Sequence, residues 1–248
     1  MLQTLKNEGE KLGLEINIEK SKYLMMSANE RRRHVGDLEC GGGVWLQNVR
    51  QFKYLGSLLN SENKVRADVE SRILAANKAY FVHMKLMKSK LLSRMSKLRL
   101  YKTMIRPVAT YGAETWTLTS REEQALRVFE RKIVRRIMGP VRTEYGWRIR
   151  NNEEIANFMG PEDIVRVIKA QRLRWLGHVQ RIEHCRLPHK LLKSKMIGTR
   201  RRGRPRRRWL EDVSADLRVL GIRGWENVAE RRYDWRRIVQ EAKVHIGL

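Results

Sequence analysis

The densest chemistry in this sequence is Arg200-Arg201-Arg202-Gly203-Arg204-Pro205-Arg206-Arg207-Arg208, seven arginines in nine residues. Each guanidinium stays ionised at any working pH and presents a planar fork of donors that matches phosphate oxygens. So many like charges repel one another unless a polyanion neutralises them. Nucleic acid is the polyanion this pattern expects. Read alone, the run also fits a solvated basic linker or a nuclear localisation signal. Other residue types able to do chemistry are sparse. Asp37 and Asp68 stand alone, and no two aspartates adjoin anywhere in the chain. Asp212 and Asp216 lie four apart beside the arginine run and read as solvated partners for arginine. His178, His184, Cys185 and His189 gather metal-ligand types, but without the paired spacing of a zinc site, so no bound metal is expected.

The rest of the composition agrees with the arginine run. Lys+Arg number 53 against 27 Asp+Glu, a formal net charge of +26, as expected of a nucleic-acid binder. An anionic membrane surface is the competing polyanion. No apolar run is long enough to span a bilayer, however, and the opening Met1-Leu2-Gln3-Thr4-Leu5-Lys6 lacks a signal-peptide core. Cys40 and Cys185 are far apart without CxxC spacing, which argues against a disulfide framework and for a reducing, intracellular setting, nuclear by the basic run. Hydrophobic residues make up 42% of 248, enough for one large core or two modest ones.

These residues must be positioned by elements, and the periodicity predicts a mainly α chain with a small β-hairpin region at its N-terminus. Leu2, Leu5 and Leu12 give a weak helix ending near Gly13, followed by short extended stretches over 15–18, 23–26, 44–46 and 52–59. Gly41-Gly42-Gly43 and the polar run 29–33 separate them as turns. From Val65 the period becomes helical: Val69, Ile73, Ala76, Tyr80, Met84, Met87 and Leu91 predict one long amphipathic helix. Leu98, Tyr101, Ile105 and Val108 continue as a second helix that Pro107 kinks or ends, with Arg99, Lys102 and Arg106 on an adjoining face. A capping box at Ser120 and Glu123 opens a third helix, which Gly139-Pro140 stops. A loop over 142–150 follows. Pro161-Glu162-Asp163 then starts a helix whose apolar stripe is Ile168, Trp175, Leu176 and Val179. Beyond the arginine run come two short amphipathic pieces, through Trp209, Val213, Leu217 and Leu220 and through Trp225, Val228, Trp235 and Val239.

Several of these stretches carry a resemblance. Gly13-Leu14-Glu15-Ile16-Asn17-Ile18-Glu19-Lys20-Ser21-Lys22 resembles the palm segment after the catalytic strand in reverse transcriptases of non-LTR retrotransposons, and Phe52-Lys53-Tyr54-Leu55-Gly56 resembles their primer-grip turn. Leu100-Tyr101-Lys102 and Tyr111-Gly112-Ala113-Glu114-Thr115-Trp116 are similar to the thumb of these enzymes. Arg174-Trp175-Leu176-Gly177-His178-Val179 and Gly203-Arg204-Pro205-Arg206-Arg207-Arg208-Trp209-Leu210-Glu211-Asp212 resemble the tail of animal endonuclease–reverse transcriptase open reading frames.

The resemblance implies a C-terminal portion of such an enzyme: palm edge over 1–62, helical thumb over 63–140 and basic helical tail over 141–248. It implies Phe52, Tyr54, Leu55 and Gly56 as the primer grip, and Lys20 or Lys22 beside the departing pyrophosphate. Arg99, Lys102, Arg106 and residues 200–208 would touch nucleic acid, whether primer–template, RNA or DNA. The family's Mg²⁺-holding aspartates, one pair in a Tyr-x-Asp-Asp turn, precede the segment with which this chain begins. The complete enzyme would therefore use Mg²⁺ and an upstream palm and fingers, while this chain alone is expected to be inactive. Arg202-Gly203-Arg204-Pro205 also matches the core of an AT-hook, an extended segment suited to a narrow A·T minor groove. The alternative is thus a non-enzymatic DNA-binding module.

Overall fold

The structure is a computed structural model that describes residues 2–27, 29–33, 36–41, 43–194, 203 and 207–248. Arg200, Arg201, Arg202, Arg204, Pro205 and Arg206 lie outside the described residues. The chain divides into two compact units, Met1–Ser71 and Arg72–Leu248.

The first unit is built of local turns because its sequence supplies few apolar residues in register. Helix α1 (Leu2–Lys11) precedes two antiparallel hairpins, β1–β2 (Leu38–Glu39 with Trp45–Leu46) and β3–β4 (Gln51–Tyr54 with Ser57–Asn60). The stretch over 52–59 is therefore two strands and a turn, not one strand. Leu55 and Gly56 both take positive φ, 46° and 87°, the mirror-image turn whose twist suits a tight hairpin. Residues 15–18 form no strand, and the 23–26 stretch contributes one bridge, between Tyr23 and Asn48. Among the described residues, each sheet has two strands.

Helix α2 (Arg66–Val82) carries the expected period, with Val69, Ala76 and Tyr80 buried. The helix expected to run on to Leu91 breaks at His83, whose ψ of 11° leaves the helical range, and resumes as α3 (Met84–Lys88). Leu91 is fully exposed, so nothing packs there to extend the helix. Helix α4 (Arg94–Leu100) then widens into a π-turn over Tyr101–Ile105 before α5 (Arg106–Ala109). Pro107 explains this: it has no N–H for an α-helical bond and its ring would strike the carbonyl four residues back. The widened turn carries the chain through the proline and keeps Tyr101, Ile105 and Ala109 in the core.

Helix α6 (Ser120–Met138) starts one residue earlier than expected. Its N-cap is Thr119, whose backbone N–H donates to Glu122 at 2.7 Å. The 142–150 loop is mostly a third hairpin, β5–β6 (Val141–Thr143 with Gly146–Arg148). Helix α7 (Asn152–Met159) follows, opened by a capping box of Asn151 and Glu154, a signal the periodicity reading passed over. Helix α8 (Ile164–Gln180) begins after Asp163, as expected, with the Asp163 carboxylate accepting the Arg166 N–H at 2.9 Å. Helices α9 (Leu187–Lys193), α10 (Trp209–Val219), α11 (Trp225–Glu230) and α12 (Arg232–Val244) complete the unit.

Helix α8 is the spine of the second unit. Ile164, Val165, Ile168, Leu173 and Leu176 are all fully buried, each contributing roughly 1.5–3 kcal/mol of apolar burial. Its C-terminal half packs into a cluster with Val213 and Leu217 of α10, Ala229 of α11, and Trp235, Ile238 and Val239 of α12. At its N-terminus the buried carboxylate of Glu130 accepts the Ile164 N–H at 2.7 Å and the Tyr101 hydroxyl at 2.8 Å. Burial raises this carboxyl to a pKa of about 7, despite the lowering effect of those two donors.

A raised carboxyl binds its proton more tightly in the folded chain. Its contribution is complete below the unfolded value near 4.5 and is lost as pH rises through about 7. Chemical unfolding should therefore show Glu130→Gln gaining about 3 kcal/mol relative to the parent chain between pH 4.5 and 8. Parallel stability profiles over that range would contradict it.

Candidate nucleic-acid interface

The polar side of α8 carries Arg174, Trp175 and His178, with Arg181 capping its C-terminus, spaced at helical steps so that they share one face. Across from it, α12 presents Arg232 and Arg236, four apart and likewise on one face. These residues, with Glu114, Gln171, Trp235 and Gln240, line a groove of about 790 Å³. Trp175 was expected in the apolar stripe. It stands instead 37% exposed at the groove, its ring tilted against His178 with centroids 5.4 Å apart.

One glycine sets the groove's depth. The Trp235 indole lies directly on Gly177, so that a Cβ there would sit 2.0 Å from its Nε1. The same Nε1–H donates to the Leu173 carbonyl at 2.9 Å. Any side chain at 177 would push α12 off α8, which gives the Trp175-Leu176-Gly177-His178 stretch a packing reason. The second wall comes from Tyr111-Gly112-Ala113-Glu114-Thr115-Trp116, whose Gly112 takes φ 72° and leads into a short 3₁₀ turn against α8. The Trp209 indole, just after the arginine run, donates to the Glu114 carbonyl at 2.8 Å. Three separated motifs thus converge on one place.

The groove is electrostatically unbalanced. Arg174, Arg232 and Arg236 form no ion pair among the described residues, and Glu114 is the only acid in the lining. Arg181 donates to the Ala229 carbonyl, and its guanidinium pKa is lowered first by burial and then by the Arg232 charge. Four arginines around a single carboxylate favour a bound anion. A second groove of about 970 Å³ is rimmed by Lys88, Lys97, Lys132, Arg135, Arg136 and Arg150, with Arg136 over the Tyr80 and Phe81 rings.

Asp212 and Asp216 are not the solvated pair expected from the sequence. Arg172, only 1% exposed, reaches Asp212 at 2.8 Å and Asp216 at 3.7 Å, and Lys169 meets Asp216 at 3.1 Å. Burial raises the Asp216 carboxyl, with Lys169 and Arg172 opposing it. This network fastens α10 to α8. Within the arginine run, Arg207 reaches Asp212 at 3.9 Å, and Arg207 and Arg208 are exposed.

The remaining residues singled out by sequence are scattered. Arg99 is exposed, whereas Lys102 and Arg106 turn to Glu162, at 4.0 and 3.5 Å. In the first unit Phe52 is half-buried, while Tyr54 and Leu55 are exposed at the hairpin end that Gly56 closes. Lys22 donates to Gln47 at 2.9 Å, and Lys20 is exposed. His184 Nδ1 and His189 Nε2 lie 3.1 Å apart, and no group of three or more potential metal ligands occurs among the described residues. The aspartates do not suit a Mg²⁺ pair either. Asp37, Asp68 and Asp163 each accept a backbone N–H, Asp234 pairs with Arg231, and Asp212 and Asp216 face cations. Sequence reading did not single out Arg181, Arg232 or Arg236. Their helical spacing was a usable signal, outshone by the denser arginine run.

Over 97% of its length the chain is 25% identical to a Caenorhabditis elegans protein, 88% of which is covered, whose name describes it as transposon-derived and uncharacterized. No family model matches the chain, and no solved structure does. Among the described residues no helix is long and apolar enough to cross a membrane.

Proposed function

We propose that this chain derives from a transposon and is the C-terminal part of a non-LTR retrotransposon reverse transcriptase: palm edge, thumb and basic tail. Its work is to hold nucleic acid for chemistry done elsewhere. The observation that carries this reading is the groove between α8 and α12, where Arg174, Arg181, Arg232 and Arg236 face one concave space with a single carboxylate. The transposon-derived relative supports it along nearly the whole chain. So does the meeting of the thumb-like and tail-like motifs at the Trp209–Glu114 hydrogen bond. In this reading Mg²⁺ and its aspartates belong to an upstream palm, since the six aspartates here already hold backbone N–H groups or cations.

Fluorescence anisotropy with a labelled primer–template and a blunt duplex of equal length tests the reading. Tighter binding of the primer–template is expected, and no nucleotide incorporation when Mg²⁺ and dNTPs are added. Equal affinity for both, or any primer extension by this chain, would overturn it. A second reading rests on Arg202-Gly203-Arg204-Pro205: a DNA-binding module confined to A·T-rich duplex. A footprint limited to such tracts and abolished by Arg204→Ala would favour that module instead.

A further inference from the structure

Phosphate contacts alone do not explain the groove's aromatic. The core cluster of α8 uses Leu173 and Leu176, leaving Trp175 free of that role and partly exposed beside His178. The space, about 790 Å³, is a half-open groove within the size range of clefts that hold small organic ligands.

From these features we infer that the groove takes an unpaired nucleotide, stacking its base on Trp175 while the arginines hold the flanking phosphates. The inference rests on the nucleic-acid reading above and adds to it a substrate class, single-stranded nucleic acid, and a residue that selects it. In a duplex every interior base has both faces covered by its neighbours, so an indole finds no partner along its length. In a single strand each base offers a face, and an aromatic platform within a basic groove captures it with little regard to sequence. Arg174, Arg181, Arg232 and Arg236, which line the groove beside a single carboxylate, are neutralised by the strand's phosphates.

The test uses the full chain with labelled oligo(dT), oligo(U) and a blunt duplex. Stacking contributes about 1–3 kcal/mol per base, so Trp175→Ala should lower the ratio of single-strand to duplex affinity by about 5- to 150-fold. Trp175→Phe should keep most of that ratio and lose much of the tryptophan quenching seen when the parent chain binds. If the ratio stays the same in Trp175→Ala and the quenching persists in Trp175→Phe, the stacking inference fails while the nucleic-acid reading stands. If the parent chain binds none of the three probes, both fall. Thermal unfolding of both variants separates a lost contact from a lost fold. A larger loss on oligo(U) than on oligo(dT) would mark RNA as the strand held, and the reverse would mark DNA.

Discussion

Raising the salt from about 50 to 200 mM is expected to weaken binding of a primer–template by roughly 10³–10⁵-fold. The expectation follows from counting cations that can reach a phosphate. Arg174, Arg181, Arg232 and Arg236 line the groove, and Arg207 and Arg208 stand exposed just before α10. Six phosphate contacts reach the lower end of the range, because each releases condensed counterions whose entropy falls as bulk salt rises. The formal charge of +26 makes some salt dependence inevitable, so the size of the effect decides. A loss below about tenfold would mean that few phosphates are touched and that apolar or base contacts dominate.

Arg172→Met is expected to cost about 3–5 kcal/mol of folding stability, measured by urea unfolding. Arg172 is buried against Asp212 and Asp216, and among the described residues Lys169 is the other cation paired with Asp216. Removing the guanidinium takes the nearest cation from Asp212 and one of two from Asp216, and that lost compensation of partly buried charge accounts for most of the loss. Adding Asp216→Asn to Arg172→Met should recover part of it, since the two residues share one network. A cost under about 1 kcal/mol would class the network with exposed ion pairs. The same change should weaken nucleic-acid binding, because α10, with Arg207 and Arg208 just before it, is held to α8 through Asp212 and Asp216.

The elements of this fold were legible wherever apolar residues recur on a helical period. Helices α2, α8 and α10 follow the stripes through Val69, Ile168 and Val213, whereas the single piece read through Trp225, Val228, Trp235 and Val239 is two helices, α11 and α12, parted at Arg231, whose ψ of 97° is extended. Breaks were harder to read, because they depend on what packs outside the helix. His83 interrupts a stripe that looks continuous, and the π-turn before Pro107 keeps one going where a kink was expected. Short helices α7 and α9 have too few residues for a period to emerge. At the candidate site, the motifs at Tyr111–Trp116, Arg174–Val179 and Arg207–Asp212 were visible, but not that they meet. That depends on Gly177 admitting the Trp235 indole and on a hydrogen bond between residues 209 and 114. Burial likewise hid the true role of Asp212 and Asp216, since i,i+4 spacing beside arginines looks the same on a wet surface and in a core.

The most direct test of the central claim is the salt dependence of binding in a chain with Arg174, Arg181, Arg232 and Arg236 all changed to Gln. Each lost phosphate contact removes about 0.7–0.9 from the slope of log K against log salt. The account predicts a slope shallower by about 2.8 to 3.6 than that of the parent chain, with thermal unfolding preserved. An unchanged slope in a folded variant would contradict it and would place the phosphate contacts outside the groove.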